Sequence, residues 1–210
     1  MSLPRLINTP RLLLRDPRPD DASVAFSAYA SQAAVLRYLG WRPHQSDTET
    51  RQQFSYDVHR WLKGSAWVWV MTCKRPGQEP GPVFGQIELT PMSHPSDQAH
   101  HLRLGYLMAR SQWGQGLMTE AVTAVLQAAL QQPGVWRVDA LCDTENQASA
   151  ALLARVGMRL EGHWRRAVRH PNVSDEPRDA WVYAFTRGDV LPMAASPASA
   201  ADLACADQSR

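Results

Sequence analysis

The sequence predicts a single mixed α/β domain, and three observations support that class. Apolar residues switch along the chain between continuous or alternating runs and a helical fourfold repeat. A strand-like segment ending at Met108 leads through Gly114-Gln115-Gly116 straight into a helix-like segment. The chain has 210 residues, 44% of them hydrophobic, enough for one well-buried core.

Each element follows from local chemistry. Arg11–Arg15 is a short apolar run before Asp16-Pro17 and Pro19, an opening strand ended by turn residues. Asp20 and Asp21 sit where a helix N-terminus favours carboxylates, and helical patterning continues to Leu62 with a break over Gly40–Ser46. Ser46-Asp47-Thr48-Glu49 precedes Phe54, Val58, Trp61 and Leu62, the pattern of a capped amphipathic helix. Ala66–Met71 is β-branched and aromatic throughout, a strand covered on both faces, and Val83–Leu89 follows it after a turn. Leu102, Leu104, Tyr106 and Met108 alternate with Arg103, Gly105 and Leu107 in a further strand. The pairs Leu117/Met118, Ala121/Val122, Val125/Leu126 and Ala129/Leu130 predict a long helix ended by Pro133-Gly134. Val135–Cys142 reads as a strand and Asn146–Val156 as a helix closed by Gly157, with strands at Met158–Leu160 and Ala180–Thr186. The domain is expected over residues 8–190. Residues 193–210, with seven alanines and three serines and no sustained period, are expected to be a disordered tail.

Composition excludes several classes. Against 20 acidic residues stand 22 basic ones, and a net charge of +2 is no footprint for nucleic acid. No apolar run reaches membrane-span length, and the start MSLPRLINTPRLLLRD has no signal-peptide core, so a cytoplasmic protein with no membrane partner is expected. Cys73, Cys142 and Cys205 are odd in number and lack ligand spacing, so neither a disulfide framework nor a metal site is indicated.

The chemistry concentrates at Ser111–Ala121. Two glycines let backbone N–H groups approach a ligand closely, and the helix opening behind them contributes unpaired amides and a positive dipole end. The loop is neither a Walker A sequence nor a Gly-x-Gly-x-x-Gly fingerprint, and alone it is ordinary turn chemistry. Its context adds to it. Thr9-Pro10-Arg11-Leu12-Leu13-Leu14-Arg15, Leu104-Gly105-Tyr106-Leu107-Met108, Trp113-Gly114-Gln115-Gly116-Leu117-Met118-Thr119-Glu120-Ala121 and Asn146-Gln147-Ala148-Ser149, ending at Arg155–Gly162, stand in specific order and spacing. Over roughly residues 8 to 187 this pattern resembles the GNAT superfamily of N-acetyltransferases, and within it the ribosomal-protein-alanine, Rim-type branch.

The resemblance implies a mostly antiparallel mixed sheet, flanked by helices, with a splay between two central parallel strands. It implies acetyl-CoA as donor, its pyrophosphate on the amides of Gly114, Gln115, Gly116, Leu117, Met118 and Thr119. Pantetheine would pair with the backbone of Tyr106, Leu107 and Met108, and an amide near Leu107 or Met108 would polarise the thioester. The family's usual Gln or Arg before the first glycine is Ser111 here, with Gln112 as a substitute. Asn146 is an N-cap by type, and the tyrosine many relatives carry seven residues beyond it is Leu153. Ser149, three residues beyond, is then the expected acid or thiolate stabiliser, with Asn146 beside it.

The base is open between His101 and its neighbour His100, Glu88, and His170 in the turn Arg169–Asn172. Residues 169–179 are also a candidate acceptor-binding lip, and Trp41 or Trp164 a candidate groove residue. Arg165, Arg166 and Arg169 read as a solvated cluster. The expected acceptor is a protein N-terminal amine, with a small amine (amino acid, polyamine or aminoglycoside) as alternative. A non-catalytic acyl-CoA-binding module and a nucleotide-binding protein are the rivals, and the oligomeric state is open between monomer and homodimer.

Overall fold

The computed structural model describes residues 3–75, 77–92 and 100–192. Eight strands form one sheet: β1 (Leu6–Asn8), β2 (Leu12–Arg15), β3 (Trp67–Cys73), β4 (Val83–Pro91), β5 (His101–Met108), β6 (Arg137–Asp143), β7 (Arg159–Val168) and β8 (Arg178–Thr186). Their order is β1-β2-β3-β4-β5-β6-β8-β7. All neighbours are antiparallel except β5 and β6, which run parallel at the centre.

That central pair is joined over only three positions, His101↔Arg137, Leu102↔Val138 and Arg103↔Asp139. Beyond them β5 stays paired to β4 up to Met108, and β6 stays paired to β8 up to Asp143. Each strand follows its outer neighbour, so Leu104–Met108 and Ala140–Asp143 flank an open wedge. The splay is therefore present as expected.

One sheet face is covered by α4 (Leu117–Leu130), which buries Leu117, Met118, Ala121, Val122, Val125, Leu126 and Ala129. These are the apolar pairs of the fourfold repeat, in residues of high helix propensity. They pack on Trp69, Met71, Ile87, Leu89, Leu102 and Leu104 in the main core. The other face carries α1 (Ala22–Ala25), α2 (Ala33–Leu36) and α3 (Asp47–Lys63), where Tyr29, Leu36 and Phe54 pack with Val70, Val83 and Leu107. Ser46 caps α3 by accepting from the Glu49 N–H at 3.3 Å, and α5 (Gln147–Arg155) follows β6.

The helical stretch to Leu62 is α1, α2 and α3, broken as expected over Gly40–Ser46, with a 3₁₀ turn before α1 and a π turn (Phe26–Ala30) after it. Two expectations are corrected. β1 exists, although Leu6-Ile7-Asn8 is too short to show a period. β7 continues past Leu160 to Val168 as a mostly exposed edge strand. Cys142 is a buried free thiol, while Cys73 is disulfide-bonded, a cross-link the cysteine count did not announce. Among the described residues no helix is long and apolar enough to cross a membrane, and no cluster could hold a metal ion. The expected tail at 193–210 lies outside the described residues.

Candidate active site

Backbone alternation along β5 decides which groups face the wedge. In an antiparallel ladder, every second residue turns its N–H and C=O to the same neighbour. On the β4 side, His101 C=O accepts from Met92 and Ala109 N–H donates to Phe84 C=O; on the β6 side, His100 C=O accepts from Trp136 and Arg137. Leu104, Tyr106 and Met108 therefore turn to the wedge, and Leu107 pairs with Gln86 of β4. This corrects the expectation at Leu107, whose side chain is also core. The Met108 carbonyl accepts from the Trp113 indole at 2.8 Å, leaving its N–H toward the wedge.

The glycine loop follows. Gly114 and Gly116 have φ of 77° and 72°, a region side chains resist. A Cβ at Gly114 would meet nothing within 4 Å, so the loop faces open space. Among the described residues no acceptor takes the N–H of Gly114, Gln115, Gly116, Leu117, Met118 or Thr119, whereas Glu120 N–H bonds the Gly116 carbonyl at 3.1 Å. Six donors at the positive end of α4 are the arrangement an anion would need. Gln112 is buried at 2% exposure, and its amide oxygen has no hydrogen-bond partner among the described residues.

A clasp from the other end of the chain holds this loop. Arg11 Nε donates to Glu120 Oε2 at 2.7 Å and its Nη1 to the Gln115 carbonyl at 2.9 Å. Glu120 Oε1 also accepts from Thr9 Oγ1 at 2.5 Å and from Arg11 N–H at 2.9 Å. The Thr9-Pro10-Arg11 motif thus acts on the loop from 109 residues away.

Across the wedge, Asn146 caps α5 by accepting from Ser149 N–H at 3.2 Å. Ser149 Oγ and Tyr106 Oη are 2.7 Å apart, joining the β6 side to β5. Burial pushes the Tyr106 phenol well above its ordinary value, so it stays protonated. Nearby, burial also raises the Cys142 thiol, which donates to the Asp143 and Asn146 carbonyls at 3.5 Å each. Leu153 is core, 1% exposed. The Tyr106–Ser149 contact had no signal in the sequence, because the residues are 43 positions apart.

Two of the candidate bases, His101 and Glu88, are placed away from Ser149. His101 lies at the closed end of the wedge with Nε2 3.0 Å from Asp139 Oδ2, about 17 Å along β5 from Tyr106. Glu88 is opposite Gly105, near the wedge, but Arg60 donates to both its oxygens at 3.1 Å each and Thr90 to one at 2.7 Å. Neither His101 nor Glu88 is joined to Ser149.

The residues 169–177 that link β7 to β8 sit by the open end of β6. Asn172 Nδ2 donates to the carbonyls of Leu36 and Trp41, each at 2.7 Å, tying this loop to the segment after α2. Asp143, the last residue of β6, accepts from Arg178 at 2.6 and 3.1 Å and from Glu145 N–H at 2.9 Å. Burial pushes the Asp143 carboxyl up, but Arg178 and that N–H outweigh it and hold it below the ordinary range. Trp164 stands on the edge strand β7, half exposed, and Arg166 pairs with Glu176 at 3.2 Å.

Residues 11–159 match the acetyltransferase (GNAT) domain family. The chain belongs to that family. It is an acyltransferase of the N-acetyltransferase kind. Similar proteins include YoaA, an uncharacterized N-acetyltransferase of Bacillus subtilis (strain 168), 24% identical over 183 residues, 87% of this chain and 97% of that one. YkkB of the same organism is 24% identical over 164 residues, covering 78% and 88%. Among solved structures, Mycobacterium smegmatis RimJ in complex with CoA-disulfide matches with a TM-score of 0.73 at 22% identity, covering 90% of this chain and 88% of that one. A Salmonella typhimurium acetyl transferase that modifies the N-terminal serine of a 50S ribosomal subunit protein matches with a TM-score of 0.72 at 20% identity, covering 86% and 98%. At these identities the structural likeness is one of fold.

Proposed function

We propose that this acetyltransferase moves the acetyl group of acetyl-CoA to the N-terminal amine of a protein. The observation that carries the donor half is the row of six unpartnered amides, Gly114 to Thr119, beside the strand wedge. A diphosphate needs several donors and a positive field, and a pantetheine chain needs a strand edge with free backbone groups. Acetyl-CoA supplies the activated acyl group. Tyr106 and Met108 offer the edge, and the Met108 N–H is the donor available to polarise a thioester carbonyl. Ser149, backed by the protonated Tyr106, returns a proton to the departing thiolate, and Asn146 fixes the turn that presents Ser149. The acceptor half is supported by the RimJ and N-terminal-serine acetyltransferase structures that share the fold.

Thiol release from acetyl-CoA is the test. Peptides beginning with alanine or serine are expected to be turned over, and spermidine, free amino acids and an aminoglycoside are not. Turnover of a small amine alone would replace the acceptor, and coenzyme A binding without turnover of any amine would leave a binding module.

A further inference from the structure

We infer that the Trp113 ring is the floor for the coenzyme's pantoyl segment, the branched link that carries two methyl groups between the pantetheine amides and the diphosphate; this rests on the donor reading above. Trp113 is tied through both side chain and backbone. Its indole N–H donates to the carbonyl of Met108, the last residue of β5, at 2.8 Å. Its backbone N–H bonds the Arg110 carbonyl at 3.1 Å and closes the short turn Arg110–Gln112. The next residue is Gly114, where the row of unpartnered amides begins. The ring therefore bridges the strand edge and the amide row, the two surfaces that the donor reading assigns to the coenzyme.

Held in this way, the ring is still 48% exposed. Trp136 offers a contrast: it is 57% exposed, but the Arg187 guanidinium lies over its ring at 4.8 Å. Among the described residues no cation and no aromatic ring covers Trp113. An indole already fixed in one orientation has lost the side-chain freedom that binding would otherwise cost. Such a surface suits an apolar ligand group.

Chemical order identifies which group that is. Along the coenzyme the diphosphate is followed by a methylene, then by the quaternary carbon with its two methyls, then by a carbinol and the first amide. With the phosphates on the amides from Gly114 onward and the chain running toward β5, the dimethyl carbon is the apolar branch that comes beside Trp113. The remaining pantetheine is held by its amides at the strand edge. The adenine lies beyond the diphosphate, on the side away from β5. Packing the two methyls on the indole takes apolar area of both partners out of water.

Calorimetry with three ligands tests this: coenzyme A, an analogue with hydrogens in place of the two methyls, and adenosine 3′,5′-diphosphate. Wild-type protein is expected to bind coenzyme A about tenfold more tightly than the analogue. Trp113→Ala should weaken coenzyme A about tenfold but leave the analogue and the adenosine diphosphate within about twofold of wild type, so that the preference for the methyls disappears. Trp113→Phe, which keeps a ring and loses the N–H, should retain most of that preference and so separates the ring from the Met108 bond. Equal losses on coenzyme A and the analogue, the result of a merely structural role, overturn the inference, as does a loss confined to the adenosine diphosphate. Wild-type protein that binds coenzyme A and the analogue equally overturns it without any variant. Wild-type protein that binds none of the three ligands refutes the donor reading itself, a different signature.

Discussion

Ser149 is half-buried, held from below by the Asn146 cap and from the side by Tyr106. In the proposed mechanism its hydroxyl is the last link of a proton path and no part of the amide row at Gly114–Thr119. Ser149→Ala is therefore expected to lower kcat about tenfold to a hundredfold with unchanged coenzyme A affinity, read by steady-state kinetics beside calorimetry. Tyr106→Phe should give a smaller loss, and the double variant less than the product of the two, because both act on one path. Gly116 makes the opposite case: φ of 72° and an Arg11 nitrogen 3.6 Å from its Cβ position make Gly116→Val strained. Its cost should appear as weakened coenzyme A binding.

The clasp between the Thr9–Arg11 segment and α4 ties loop geometry to an ion pair with side chains only 22% and 16% exposed. Glu120→Ala removes the carboxylate acceptor of Arg11 and Thr9, leaving them the Gln115 and Leu12 carbonyls, a cost of about 1–3 kcal/mol. The expected result is a lower melting temperature together with weaker coenzyme A binding, whereas Leu126→Ala, fully buried in α4, should cost about 2–5 kcal/mol without touching the loop. The elements legible in the sequence were those with one buried side or two: α4 by its fourfold repeat, β3 by seven consecutive buried positions, β5 by alternation. β7 was not, because an edge strand with Arg159, Glu161, Arg165 and Arg166 on it is exposed at nearly every position and has no period to read. The glycine loop opening into α4 was legible because backbone chemistry follows chain order. The Tyr106–Ser149 contact, the Arg60 clamp on Glu88 and the Asn172 tie were not, since each joins side chains set together only by the sheet.

Across the molecule, α3 carries one poorly matched group. Asp57 is 0% exposed with Oδ2 unpartnered among the described residues, and burial, then the Glu88 charge, push its carboxyl up to about 6 against Arg60 and Gln53. A raised folded value means the folded state holds the proton more tightly than the unfolded chain. Stability should therefore increase as pH falls from about 6 toward 4, up to the point where other carboxylates protonate. Asp57→Asn is expected to raise the melting temperature at neutral pH by about 2–4 °C and to flatten that window, measured by calorimetry across pH. The Asn172 tie has a wider consequence. One amide fastens the loop at 169–177, the expected acceptor lip, to the chain at Leu36–Trp41, so the two borders form a single collar. Grafting either border alone from a relative with other substrates would sever that fastening. Redirecting this enzyme to a new amine therefore requires transplanting both together.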